Sequence, residues 1–425
     1  TRRAALSVTF GVLALVAAGF ASYALWAEGQ ATKAQQQAEA LLDFLLGEQF
    51  LGQIREVGRS SLLELVKGRV QPYESTHDEK TALTRGLALR NSGDILRVHG
   101  RTKDALIVFE NALKAIESST STVDRDREAA RTQERIAEVL VLQGHITQAM
   151  RRYDQAEGTW RRVVQSPDVR VGDCVSLAEN LVGGAEVNFR LGRATVANKA
   201  VNQALATLVT VPWGKCGRLA EGGERYPNAK ALEVLSNASL LRARIRIAAD
   251  DYNGALRLAT MASRLSNRSP ASIKQKAIAM ALLANAKAGH APGEAMEYYH
   301  EALGDFDILI DRDSSNQLWG RERAAVQLLI AEGMIACLSA KRNDCVKRFS
   351  VEEAEIVNLK GQLALKEFAR LDPANLSLQR DLGWALQGRA GILAAQRRHV
   401  ERLTALQDSE RAYNETLSDP ADTEG

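Results

Sequence analysis

The stretch Leu89–Ala112, LRNSGDILRVHGRTKDALIVFENA, decides the fold. It reads as two short amphipathic helices around Gly100. The first carries Leu89, Gly93 and Leu96; the second carries Ala105, Phe109 and Ala112. Apolar residues therefore recur at helical rather than strand spacing. Gly93 and Ala105 are small where two helix backbones must approach closely. Phe109 is large where the groove between this hairpin and the next needs filling.

The same order returns along the chain. A second copy runs through Ile136, Ala137, Leu140, Gly144, Ala149, Tyr153 and Ala156. A third has Leu181, Ala185, Gly192, Ala197, Val201 and Ala204. A fourth ends in Ala255, Ala259 and Ala262, and a fifth has Ala295, Tyr299 and Ala302. A sixth is read as Leu329, Gly333, Ala336, Cys345 and Phe349. The copies lie about 40–58 residues apart, and Asp124–Arg131 and Val211–Asn228 are read as extensions between hairpins. In the fourth copy, alignment on Ala255 would bury Arg242 and Arg246. A buried Arg is costly without a partner, so Leu241, Ile245 and Ala248 are the expected core stripe. Ser350 and Glu353 form a capping-box pattern opening a further helix. Asp372–Pro373 ends that helix, and Asn375 is placed to cap the next.

This small–large order resembles the tetratricopeptide repeat (TPR) family. The resemblance implies an all-α fold: a TPR-like α-solenoid, a right-handed superhelix of antiparallel helix pairs. Stacked pairs bury a continuous core and leave a concave inner surface for partners. First-helix residues free to face it are Arg90, Asn91, Arg97, Glu138, Asn180, Asn188, Arg190, Asn237 and Arg242. The ordinary alternative for each is a solvated surface position.

The start of the chain has a different character. Ala4–Ala27 carries no charge over 24 residues. At ~1.5 Å per residue such a helix spans roughly 36 Å, enough for a bilayer. A signal peptide has an apolar core of only about 7–15 residues. Arg2 and Arg3 precede the run, while Glu28 and a lone Lys33 follow it, so the positive-inside rule places the N-terminus in the cytoplasm. The expectation is a single-pass membrane protein, in a bacterial inner membrane, with its repeats periplasmic. The expected organisation is a transmembrane helix over 1–28, a juxtamembrane stalk and loop over 29–80, the solenoid over 81–371, and capping helices with an acidic tail over 372–425. Ala38–Glu39, Leu42, Phe44–Gly47, Ile54–Arg55, Val57–Arg59 and Leu62–Leu63 resemble the juxtamembrane stretch of multidomain bacterial proteins. In those proteins an effector domain precedes one span and TPR repeats. With Thr1 as its first residue, the chain is expected to lack such a domain. The resemblance implies a TIR, caspase-like, kinase or cyclase domain there.

The four cysteines, Cys174, Cys216, Cys337 and Cys345, lack zinc-site spacing. Cys174 and Cys216 flank the third hairpin, and Cys337 and Cys345 flank the sixth turn. Antiparallel helices bring both pairs within reach of disulfides, which need an oxidising compartment. Buried thiols are the alternative. No GxSxG, HExxH, Walker A or GxGxxG motif occurs. The Gly-Lys pair in WGKCGRLAEGG, residues 213–223, is followed by neither Ser nor Thr. His99, His145 and His290 sit at turns in different copies, so no metal, cofactor or catalytic site is expected. With 55 basic and 52 acidic residues, net charge +3, there is no electrostatic case for nucleic acid. Three functions follow in order: an anchored scaffold or sensor that binds a protein or peptide or self-associates, an envelope assembly adaptor, and an enzyme with a site built across repeats.

Overall fold

The structure is a computed structural model. It describes residues 82–120, 122–209, 229–264, 269–288, 291–339 and 349–417. All of them fall in one compact unit, Gln53–Gly425. Among the described residues there are helices and no strand. They stack as seven antiparallel pairs: α1 Ala82–Val98 with α2 Thr102–Glu117, α3 Thr122–Leu142 with α4 Ile146–Gln165, α5 Val171–Arg190 with α6 Ala194–Val209, α7 Ala229–Ala248 with α8 Tyr252–Arg264, α9 Pro270–Ala288 with α10 Pro292–Arg312, α11 Gln317–Ser339 with α12 Val351–Leu371, and α13 Leu376–Ala395 with α14 His399–Leu417.

Within a pair, small residues admit the partner helix. A Cβ on Gly93 would lie 2.6 Å from the Phe109 ring. Ala105, Phe109 and Ala112 are fully buried, as are Ala149 and Ala156, and Ala197, Val201 and Ala204. Between pairs, the large residues interlock. Phe109, Ile136 and Tyr153 share one cluster, and Tyr299, Phe306, Leu309 and Ile330 share another. The first three turns reverse through Gly100, Gly144 and Gly192, at φ of 67°, 85° and 75°. Each is followed by the same six-residue closure, such as Arg101 N–H to the Leu96 carbonyl at 2.8 Å. The fourth and seventh turns place Asp250 and Arg397 in this left-handed conformation instead.

The predicted registers meet the structure unevenly. In α7, Leu241 and Ile245 are buried, and Arg246 is exposed, 3.0 Å from Asp251. The small core residue there is Ala243 rather than Ala248. In the sixth pair, Ala331, Met334 and Cys337 are buried in α11, and Ala336 is exposed. Its second helix is α12, opened by the Ser350–Glu353 capping box. There Gly333 packs on α10, where a Cβ would lie 3.4 Å from the Tyr299 ring, while Ala336 stands one position off the buried Cys337. Asp124–Arg131 is no inter-hairpin extension but the first part of α3. Asn375 does sit at the N-cap of α13, though without a capping side-chain bond.

The ribbon returns on itself. The Thr102 hydroxyl, opening α2, donates to Asp372 Oδ1 at the end of α12, at 2.9 Å and 270 residues away. Ser377 in α13 donates to the Val141 carbonyl of α3 at 3.1 Å. Leu376 packs against Gly144, and Gln317 against Gly100. The α12–α13 joint thus rests on the first two inter-helix turns.

No helix among the described residues is long and apolar enough to cross a membrane. This corrects the single-pass localisation read from the sequence. The run 4–27 on which that reading rested lies outside the described residues, as do the stalk at 29–80 and the extension at 211–228.

Candidate binding lumen

The first helices of successive pairs bring their polar side chains to one inner face. At the α1–α3 step, Arg97 lies 3.2 Å from Glu138. Arg135 joins them, 2.7 Å from Glu138 and 3.3 Å from Asp94. Lys230 of α7 reaches back to Glu179 of α5 at 2.7 Å, with Glu233 at 3.6 Å. Lys274 of α9 meets Glu322 of α11 at 3.1 Å.

Long-range fields tie these pairs into one lumen. Glu322 raises the Lys274 ammonium above its usual value, burial works against this, and Arg97 of α1 also opposes it. Burial lowers Lys230, and Glu179 and Glu233 more than reverse that, leaving it raised, while Arg135 of α3 pulls the other way. Charged side chains thus meet between α1 and α3, between α5 and α7, and between α9 and α11. They are also open to solvent: the Lys230 side chain is 45% exposed and Lys274 is 35% exposed. A core helix would not leave such groups wet, and a convex surface would not place them in one another's fields.

A second cluster joins α5 and α7. Glu186 binds Arg190 at 2.9 Å and Arg244 at 2.6 Å. Burial raises its carboxyl, but the two guanidiniums overcome this and hold it below its usual range. Burial lowers the Arg380 guanidinium of α13, which Arg190 of α5 also disfavours.

Beneath the lumen wall sits Glu134, which accepts from Trp160 Nε1 at 2.7 Å. Both are buried. Burial, reinforced by Glu179, pushes Glu134 up to about 8. Neither of two surface hollows, one along Gln407–Glu415 and one at Asp250–Asn253 with Lys287, contains it. No group of three or more His, Cys, Asp or Glu among the described residues is arranged to hold a metal ion.

The residues singled out from the sequence divide by burial. Arg97, Glu138 and Arg190 are partly exposed on the inner face. Asn237 is half-buried, 3.4 Å from Gln275 Nε2, and Arg242 is half-buried with its Nε unbonded. Arg90 is buried and paired to Glu128. Asn180 donates to the Tyr153 carbonyl and Asn188 to the Gly184 carbonyl, both buried. Asn91 is buried with neither its amide nitrogen nor its oxygen hydrogen-bonded. Cys174 and Cys337 are disulfide-bonded; Cys216 and Cys345 lie outside the described residues. Arg135, Glu179, Lys230, Lys274 and Glu322 were not anticipated. The signal for them was a charged residue on each first helix opposite the small-residue stripe.

No protein-family model matches the chain, and no curated protein does. Solved structures do match. The Rap conjugation gene regulator of plasmid pLS20, in complex with the Phr* peptide, has a TM-score of 0.50 at 13% identity, covering 81% of this chain and 78% of its own. RapI in its apo form scores 0.49 at 12% identity, covering 88% and 98%. A Rap protein complexed with competence and sporulation factor scores 0.47 at 12% identity, covering 89% and 99%. At these identities the likeness concerns the fold, which is that of TPR-like helical-repeat proteins.

Proposed function

We propose that the chain is a protein-binding scaffold that takes an extended segment of a partner polypeptide along its lumen. One observation carries this reading: neighbouring first helices pair charged side chains across their steps, from Arg97–Glu138 through Lys230–Glu179 to Lys274–Glu322, and these stay partly open to solvent. Carboxylates and cations alternate there, so a peptide backbone with side chains of both signs fits better than a polyanion. Asn91 adds a buried amide whose two hydrogen-bonding ends are unused. An amide is suited to a peptide main chain, since it both donates and accepts. The Rap regulator of similar fold holds a peptide, which supports the same use of the lumen here. Such a protein regulates by capture rather than by bond-making.

Selection from a random peptide library with the intact chain tests this. Selected peptides should lose tenfold or more in affinity on Lys230→Glu with Lys274→Glu. They should be indifferent to Lys103→Glu on exposed α2 surface. Equal loss with both changes, or none with either, would defeat the lumen reading.

A further inference from the structure

The last helix carries an uncovered apolar edge. Its register is set by the turn before it. Arg398 N–H bonds the Leu393 carbonyl at 2.9 Å, as Arg101 N–H bonds Leu96. Counting from these turns, Leu403 and Leu406 of α14 occupy the places of Leu106 and Phe109 of α2. In the first pair that edge is covered by α3, and Phe109 is fully buried. In α14, Leu403 is 59% and Leu406 is 38% exposed, with Val400 beside them at 82%. Among the described helices α14 thus shows, exposed, the edge that an internal pair covers.

We propose that this edge binds a second copy of the chain, α14 against α14, antiparallel and centred on Leu406. The charge pattern selects this occupant. Arg402 and Glu410 stand four residues before and after Leu406, about one helical turn either way and so on the same side of the helix. Antiparallel pairing sets each Arg402 opposite Glu410 of the second copy. A two-fold contact must be self-complementary in this way. One 19-residue helix per copy buries less than the roughly 1,200–2,000 Å² of a standard interface. The dimer therefore forms in the micromolar range and responds to concentration.

Sedimentation velocity on the intact chain tests this. The mass should rise from 46.3 kDa toward twice that value as concentration approaches about 100 μM. Leu403→Glu with Leu406→Glu should abolish the rise while leaving helix content unchanged, since both side chains are exposed. Arg402→Glu and Glu410→Arg should each weaken dimerisation tenfold or more. An equimolar mixture of those two variants should dimerise again, because both cross-contacts of the mixed pair join opposite charges. A monomer at every concentration, a dimer indifferent to the paired Leu changes, or a mixture that stays monomeric would each overturn the proposal.

Discussion

Glu134 gives the sharpest test of the interior. Its carboxyl is held near 8 in the folded chain, against an ordinary value of 4.5. Between those limits the folded state keeps a proton that the unfolded chain has released. Unfolding then loses protons, so stability falls as pH rises through the window and levels off above 8. Each unit of difference is worth about 1.4 kcal/mol, so the whole window amounts to several kcal/mol. Glu134→Gln keeps an oxygen that can accept from Trp160 Nε1 at the same 2.7 Å and removes the charge. The variant should match the wild type near pH 4.5 and exceed it increasingly toward pH 8–9. Urea melts followed by tryptophan fluorescence at several pH values measure this directly. Solenoids can melt in stages, so the quantity to compare is the variant-minus-wild-type shift of the transition that Trp160 reports. Parallel profiles for the two proteins from pH 5 to 9 would refute the buried protonated acid.

Three other outcomes follow from the packing. Thr102→Val removes the hydroxyl bond to Asp372 but leaves the Thr102 backbone and Asn375 bonds to that carboxyl, so it should cost about 0.5–1.5 kcal/mol; hydrogen exchange should rise around Val141 and Leu376. Gly93→Leu drives a side chain into the Phe109 ring and should cost about 2–3 kcal/mol or more, whereas Gly158→Ala meets nothing within 4 Å and should gain about 0.5–1 kcal/mol; thermal melts separate the two. The unreduced, denatured chain should show no free thiol and four after reduction, with peptide mapping giving Cys174–Cys216 and Cys337–Cys345; a Cys174–Cys337 peptide would sink that pairing.

Much of the architecture was written locally. Gly93 with Phe109, and the turn glycines at 100, 144 and 192, act within one hairpin, so a short stretch reveals them. The seventh turn was harder, because Arg397 adopts the left-handed conformation with no glycine to mark it. In the sixth pair, Gly333 packs against Tyr299 as its small size suggests, but Ala336 is exposed beside the buried Cys337. Arg97, Glu138 and Arg190 stay partly exposed, but whether a first-helix polar residue faces inward or packs depends on the neighbouring pair. Asn188 shows this: it bonds Gly184 and approaches Met150 Sδ at 3.4 Å. The meeting of Lys274 with Arg97's field, or of Thr102 with Asp372, depends on accumulated superhelical rotation. No local pattern encodes it.

The bond between Thr102 and Asp372 changes what kind of polymer this is. An open array behaves as a row of units, each sensing only its neighbours. Once the first pair of such a row touches the sixth, damage at one is felt at the other, and a long loop must close for that contact to form. Loop closure over 270 residues is entropically dear and kinetically late. The first pair should therefore remain loosely held during synthesis, and become fully native only when the joint at Asp372 has been made.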